Sequence, residues 1–289
     1  MLDANTFSDQ KTSEYLNQNF INLKIDAETK YGQELFSKYN GTGYPLLLFL
    51  DSKKNELERF YGFFEPEQFL KKLMDIKNGN NTFPVLQAQF ESGDNSAETM
   101  FILASKYAER ENDSLASLLY QNVIISKNVS SKMFLEAKYF LSTQELKNGE
   151  TEELINYINQ YAESPFLKNA VKDILQYYQS EKLIDKEILY FKKYIEIFSD
   201  DPWFLNQFSW RMTEINQNLD LALKKVNHAL NIIDNDAVGI ANIIDTKAEV
   251  LWKMGKIDEA IKTIDEAILF DPKNEYYLNQ KEKFKQTNL

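Results

Sequence analysis

Alternating and continuous apolar segments in the first 61 residues predict three β-strands. Residues 20–26 place Ile21, Leu23 and Ile25 on one side and polar residues on the other, which is typical of a half-buried strand. Residues 45–50 are almost continuously apolar and predict a strand covered on both faces. After a polar turn at residues 51–55, residues 56–61 predict the returning strand of a hairpin.

Helical periodicity surrounds these strands. Residues 1–17 predict a kinked helix that restarts after a cap at Ser8 or Asp9. A short helix is expected at residues 33–39, and Pro66 begins another that extends to about residue 76. The segment Asn78-Gly79-Asn80-Asn81 then predicts a linker.

From Pro84 onward the pattern is helical almost throughout, and internal repeats appear. Residues 241–274 match a 34-residue helix–turn–helix pattern. Their matching positions are the small residues Ala248, Ala260 and Ala267, the turn residue Gly255, and the terminal pair Asp271-Pro272. This segment resembles the tetratricopeptide repeat (TPR) family.

Further repeat units are predicted upstream. Residues 203–236 keep Ala222 and Ala229 at equivalent positions, and another unit starts near Ala97. Residues 132–162 and 167–198 are either degenerate units or simple helical hairpins. A final helix, at about residues 275–285, mixes aromatic and polar residues and is expected to cap the array.

Residues 1–77 resemble the second half of a thioredoxin domain, and more closely that of bacterial thioredoxin-like proteins with helical repeats. The resemblance is carried by residues 20–26, by Gly43-Tyr44-Pro45 ahead of the apolar strand, and by Gly62. It implies a cis-proline loop in which Tyr44 and Pro45 bind substrate. The family's Cys-x-x-Cys motif is absent, because the chain contains no cysteine.

The predicted fold class is therefore α/β plus all-α: an incomplete thioredoxin-like domain followed by an α-helical TPR-like solenoid. The expected domains are residues 1–77, a linker with a short helix at 78–96, and repeats with a capping helix at 97–289. In the thioredoxin sheet, a further strand lies between those matching residues 20–26 and 45–50. Without it both strands would have unpaired edges, so we expect that Met1 is internal to a longer protein.

Charge and composition exclude several functions. The net charge is −11, which disfavours nucleic-acid binding. Without cysteine, the chain has no disulfide, thiol nucleophile or thiolate metal ligand. His228 is the only histidine and is interpreted as a solvated or partly buried helix residue, so no metal site, cofactor or catalytic residue is predicted. No membrane insertion is expected.

The resemblance to TPR proteins also implies a peptide groove along the first helix of each repeat. The matching positions are Phe204, Gln207 and Arg211 in one unit, and Asn242, Asp245, Glu249 and Trp252 in the last. The two carboxylates would repel a terminal carboxylate and favour a basic or mixed peptide.

Two functions remain open, with protein or peptide clients as the expected partners. The full-length product is expected to be a thiol–disulfide oxidoreductase or redox-linked folding helper in cell redox homeostasis, although this chain itself is redox-inactive. Whether the protein is an enzyme therefore depends on an upstream Cys-x-x-Cys. The alternative is a non-catalytic TPR adaptor, and a blander third interpretation gives the repeats only a structural role. As written, the chain predicts a cytoplasmic location, or the periplasm or cell envelope if the start lies upstream.

Overall fold

The computed structural model describes residues 2–234 and 236–286. Within them the chain forms fifteen α-helices and one two-stranded antiparallel sheet. It divides into two compact units, residues 1–170 and residues 171–289. The first unit thus contains the predicted segments 1–77 and 78–96 together with the first helical hairpins. The domain boundaries drawn from the sequence stay a prediction.

The first unit begins with a small α/β region. Its elements are a π-helical turn (Leu2–Thr6), α1 (Gln10–Asn19), α2 (Lys30–Lys38), β1 (Leu46–Leu50), β2 (Glu56–Tyr61) and α3 (Pro66–Asn78). Asp9 caps α1 by accepting a hydrogen bond from the Thr12 amide at 2.8 Å, which confirms the predicted restart of the helix. In the hairpin Leu48 is paired with Arg59, and the strands are those predicted from the sequence.

The predicted strand at residues 20–26 is wrong. That segment has no regular secondary structure, and Ile21 and Leu23 are 94% and 81% exposed. Among the described residues β1 pairs only with β2, so no strand provides hydrogen bonds for residues 20–26. The Phe20 ring contacts Phe49 of β1, with centroids 5.6 Å apart, but this edge contact does not make a ladder. The sheet therefore has two strands rather than the three that the thioredoxin-like prediction requires.

Helical hairpins complete the first unit. They are formed by α4 (Phe83–Glu91), α5 (Ala97–Ala108), α6 (Asp113–Ile124), α7 (Ser131–Lys147) and α8 (Glu152–Gln160). Leu86, Leu103, Leu119 and Val123 are buried together, and Ala137 of α7 closes the same core. These helices bury one apolar stripe each, as the periodicity predicts.

The second unit continues the same architecture. Its helices are α9 (Leu167–Ser180), whose first turn precedes residue 171, α10 (Ile184–Tyr194), α11 (Pro202–Glu214), α12 (Leu219–Ile232), α13 (Ala237–Lys253), α14 (Ile257–Phe270) and α15 (Glu275–Gln286). Helix α11 packs against α12, and α13 packs against α14. The predicted α-helical hairpin repeats and the final helix are therefore confirmed.

Small residues allow α13 and α14 to approach each other closely. Ala248, Ala260 and Ala267 are fully buried between the helices, beside Ile264. Gly255 has φ +77 at the turn between them, a conformation that side chains with a Cβ rarely adopt. The sequence pattern predicts this hairpin correctly because both the close helix contact and the turn require small residues. Helix α13 begins four residues earlier than the repeat pattern indicates, at Ala237.

A buried ionic cluster joins the sheet to the helical hairpins within the first unit. The Arg59 side chain is only 3% exposed and forms an ion pair with Glu56 at 2.5 Å. Glu56 also binds Arg110 at 2.5 Å, and Glu58, whose side chain is 4% exposed, pairs with Lys106. Because Lys106 and Arg110 lie on and directly after α5, these charges hold β2 against the first hairpin.

We expect Arg59→Met to destabilise the first unit by roughly 1–3 kcal/mol, because half-buried Glu56 loses one of its two guanidinium partners and the Tyr39 carbonyl loses its donor. The matched control is Lys24→Met, which breaks a pair with Asp3 whose side chains are 81% and 67% exposed. The control should lose less than about 1 kcal/mol. Urea unfolding followed by circular dichroism measures both changes, and equal losses would contradict the structural importance of the cluster.

Candidate functional site on helix α13

Apolar and polar residues lie on different sides of helix α13, as their spacing along the helix requires. Ala241, Ile244, Ala248 and Leu251 pack in the core with α14. The neighbouring stripe contains the four residues that the sequence assigns to a peptide groove. We refer to this stripe, consisting of Asn242, Asp245, Glu249 and Trp252, as the α13 face. Its members are three or four residues apart and therefore lie above one another on the helix.

The final helix lies over the α13 face and bonds to it. The Tyr277 hydroxyl donates to Asn242 Oδ1 at 2.8 Å. The Tyr276 hydroxyl donates to Asp245 Oδ2 at 3.2 Å. Gln280 Nε2 donates to Asp245 Oδ1 at 3.4 Å. Thus every turn of α15 places a polar side chain opposite a polar residue of α13.

The second carboxylate of the face has a lysine partner. Lys283 Nζ lies 2.8 and 2.7 Å from the two carboxylate oxygens of Glu249, and Gln280 Nε2 lies 3.3 Å from one of them. The same ammonium group sits 4.4 Å from the Trp252 ring centroid, a cation–π distance. Phe284 contacts the Trp252 ring with centroids 5.7 Å apart. One lysine therefore serves both a carboxylate and an aromatic ring.

Burial changes the electrostatics of this site. Asp245 and Glu249 are only 5% and 4% exposed. Desolvation raises the pKa of Asp245 to about 6, although hydrogen bonds from Tyr276 and Gln280 oppose the shift. Desolvation and the neighbouring Asp245 charge also raise the pKa of Tyr276, so that it stays a hydrogen-bond donor. Around neutral pH the site holds two carboxylates against one lysine.

These placements differ from an open groove. Asp245 and Glu249 were expected to face a peptide, but α15 covers them. Gln207 and Asn242 are exposed, whereas Phe204 is fully buried and its ring contacts Phe198 with centroids 5.0 Å apart. Phe204 therefore belongs to the core, because its position on α11 faces α10 and the segment after it. The groove as a binding site stays a prediction.

Arg211, the remaining predicted groove residue, is held by two carboxylates. Its Nε and Nη2 donate to the two oxygens of Glu187 at 2.7 and 3.0 Å, and its Nη1 donates to Glu214 at 2.9 Å. Glu187 is only 1% exposed, so it depends on this bidentate pair for its charge. Arg211 therefore links α11 to α10.

The predicted substrate loop lies in the first unit. The Tyr44–Pro45 peptide bond is cis, as the resemblance implies. The Tyr44 side chain is 66% exposed and stacks on Phe36, with ring centroids 4.5 Å apart. The Pro45 carbonyl accepts a hydrogen bond from the Gly62 amide at 3.1 Å, which ties the loop to the end of β2. A substrate-binding role for Tyr44 and Pro45 stays a prediction.

The remaining candidates for site chemistry are His228 and groups of metal ligands. His228 is exposed and its Nε2 lies 3.0 Å from the Ser199 carbonyl, which agrees with its interpretation as a solvated helix residue. Residues 2–234 and 236–286 contain no group of three histidines or carboxylates that is arranged to hold a metal ion. In the same residues no helix is both long and apolar enough to cross a membrane.

The sequence did not identify the partners of the α13 face. Tyr276, Gln280 and Lys283 were assigned only to a capping helix with aromatic and polar residues. The available signal was their spacing: residues 276, 280 and 283 follow one another at four and three positions, which places them on one helix side.

The chain is similar in structure to a solved helical-repeat protein. No protein-family model matches the chain, and no curated protein matches it. Among solved structures, the chain is similar to one described as the crystal structure of YrrB, a TPR protein with an unusual peptide-binding site. The two are 14% identical with a TM-score of 0.48, over 68% of this chain and 97% of the other.

We expect the second unit to become more stable as the pH falls from 7 to 5. The folded pKa of Asp245, about 6, lies above its ordinary value, so folding takes up a proton in this range. Ionised Asp245 opposes folding above pH 6, and protonation relieves that cost, by on the order of 1 kcal/mol between pH 7 and 5. Asp245→Asn should remove this contribution.

Urea unfolding followed by tryptophan fluorescence measures the contribution of Asp245 to stability. All three tryptophans lie in the second unit, and Trp252 is on the α13 face. Other carboxyl groups titrate in the same range, so the measured quantity is the difference between the wild type and Asp245→Asn at each pH. A difference that does not change with pH would contradict the buried, high-pKa state of Asp245.

Proposed function

We propose that this chain is a non-catalytic adaptor that binds segments of other proteins through its helical hairpins. The observation that carries the proposal is the direct packing of α11 against α13, the first helices of two consecutive hairpins. Neighbouring first helices form a continuous surface in stacked helical repeats. Exposed Gln207 on α11 offers a side-chain amide for a bound peptide.

Charge supports a basic or mixed peptide as the ligand. The chain has a net charge of −11, and α11 ends with Glu214, which is exposed. A complementary positive segment would associate faster and more selectively than an acidic one. TPR-type repeats, as the sequence pattern of residues 241–274 indicates, are consistent with this role, and YrrB is itself described as having a peptide-binding site.

Gln207→Lys tests the proposal at an exposed position that does not support the fold. Basic peptides selected by display against the wild-type chain should bind this variant roughly 3–10-fold more weakly, because the new charge repels them. The matched control is His228→Lys, which adds the same group at an exposed position of α12. Isothermal titration calorimetry measures the affinities. Equal affinities for the two variants would place binding away from α11 and contradict the proposal.

A second candidate is the redox function of a longer protein. What favours it is the order of elements after Pro45: the hairpin β1–β2 and helix α3 follow the order that the thioredoxin resemblance implies. The two-stranded sheet and the unpaired residues 20–26 do not support it. In this proposal, an upstream Cys-x-x-Cys provides the nucleophile, Tyr44 and Pro45 contact the client, and the hairpins recruit it.

The intact mass of the endogenous protein, with and without thiol alkylation, tests the redox candidate. We expect a mass several kilodaltons above the 33.8 kDa of this sequence, and two alkylated thiols, if that candidate is right. A mass of 33.8 kDa without thiols would exclude it and leave the adaptor function.

A further inference from the structure

Residues 20–26, called here the 20–26 segment, direct their polar side chains to the chain itself and leave their apolar side chains in solvent. Asn22 donates to a side chain of α1, and Lys24 forms an ion pair with the π-helical turn. The alternate residues Ile21 and Leu23 are almost fully exposed. A half-buried strand has the opposite arrangement, with its apolar side on the core. The segment therefore presents an uncovered apolar side.

The main chain of this segment is also unpaired. Among residues 2–234 and 236–286, no hydrogen bond involves an N–H or C=O group of residues 21–25. An exposed extended segment with free main-chain groups and an apolar side is a template for pairing with another strand. The 20–26 segment is thus suited to pair with an extended segment of another chain.

Both ends of the segment are held in place by the rest of the first unit. Phe20 is extended, with φ −135 and ψ 154, and its amide donates to the Leu16 carbonyl at 2.9 Å. Its ring contacts Phe49 of β1. At the other end, the Asp26 carbonyl accepts a hydrogen bond from the Thr29 hydroxyl at 2.7 Å. Because both ends are fixed, pairing costs less conformational entropy than it would for a free peptide.

The sequence of the segment is complementary to itself in the antiparallel direction. When Leu23 lies opposite Leu23 of a second copy, Ile21 lies opposite Ile25 of that copy, and Ile25 lies opposite its Ile21. Every apolar residue of the exposed side then meets an apolar residue, and such cross-strand pairs stabilise a sheet. A shift of one residue would set these apolar residues against polar ones, so the pattern specifies this register.

Charge favours the antiparallel arrangement over a parallel one. Antiparallel pairing places Lys24 opposite Asn22 of the second copy, and Asp26 opposite its Phe20. Parallel pairing in register would place lysine beside lysine and aspartate beside aspartate, which destabilises a sheet. With one lysine and one aspartate the segment has no net charge, although the chain carries −11. Two copies therefore meet here without the repulsion that their acidic surfaces generate elsewhere.

We propose that the 20–26 segment is a homodimer interface, in which two copies of the chain pair as antiparallel strands about a two-fold axis at Leu23. The pairing is isologous, since the same residues of both copies contribute to it. It supplies partners for the main chain of residues 21–25 and covers the exposed apolar side. Dimerisation goes beyond the adaptor function: a dimer carries two sets of helical hairpins and gains avidity for a ligand with two recognition segments.

Single cysteine variants of the full chain test the register directly, because the chain contains no cysteine of its own. In Leu23→Cys the two thiols lie opposite each other, with Cα atoms about 4.5–5.5 Å apart, which is within the range of a disulfide. We expect mild oxidation to convert this variant to a covalent dimer. Non-reducing gel electrophoresis measures the yield, and peptide mapping identifies the linked residues.

The matched controls are Ile21→Cys and Ile25→Cys in the same segment. Each alone places its two thiols roughly 13 Å apart along the paired strands, too far for a disulfide. Each alone should therefore form dimer at least tenfold more slowly than Leu23→Cys. An equimolar mixture of the two controls should cross-link efficiently, because residue 21 of one copy lies opposite residue 25 of the other.

Light scattering over a concentration series measures dimerisation without a cross-link. We expect the wild type to dimerise, and Leu23→Lys to raise the dimer dissociation constant at least tenfold, because two ammonium groups meet on the two-fold axis. Leu118→Lys is the matched control, since it makes the same substitution at an exposed position of α6. It should keep the wild-type dissociation constant. Circular dichroism verifies that each variant is folded.

A wild type that stays monomeric, with no cross-linking of Leu23→Cys, would overturn the proposal and leave the segment to a strand of a different protein. Equal cross-linking rates for the three cysteine variants would show random collision and overturn it as well. A dimer that Leu23→Lys and Leu118→Lys weaken equally would place the contact elsewhere. Each of these results leaves the adaptor function intact, because its test depends on Gln207.

Discussion

The structure depends on one constraint, that a buried ionised side chain needs a partner on another structural element. An unpaired buried charge costs several kcal/mol. Each buried charge therefore fixes the position of the helix or strand that provides its counter-ion. Ion pairs join three pairs of elements in this way: Glu58–Lys106 joins β2 to α5, Glu187–Arg211 joins α10 to α11, and Glu249–Lys283 joins α13 to α15. Apolar periodicity brings these elements together, whereas the ion pairs select their register.

Sequence-based prediction succeeded where the local pattern determines an element, and it failed where a distant neighbour determines it. The hairpin at residues 46–61 and the helices after residue 66 follow from local pattern and turn chemistry, because each element contains its own period. Residues 20–26 have a strand pattern but lack a neighbouring strand, and alternation cannot reveal whether a neighbour exists. Exposed Ile21 and Leu23 are the consequence.

Prediction of the candidate site was limited in the same way. The repeat pattern correctly placed Asn242, Asp245, Glu249 and Trp252 on one side of a helix. Spacing along a helix indicates which residues share a side, but not what covers that side. The covering helix contributes Tyr276, Gln280 and Lys283 from more than 25 residues away, as long-range contacts that no local window contains.

The polar groups on α13 make its seam with α15 specific at a cost in stability. A terminal repeat can be covered by apolar packing, and replacing a buried ion pair by well-packed apolar residues is often neutral or stabilising. This chain instead buries two carboxylates and raises the pKa of Asp245 to about 6. Such a face gives up stability and gains discrimination, because a helix without matching donors leaves Asp245 and Glu249 buried and unpaired. The same two residues therefore fix the register of α15 against α13.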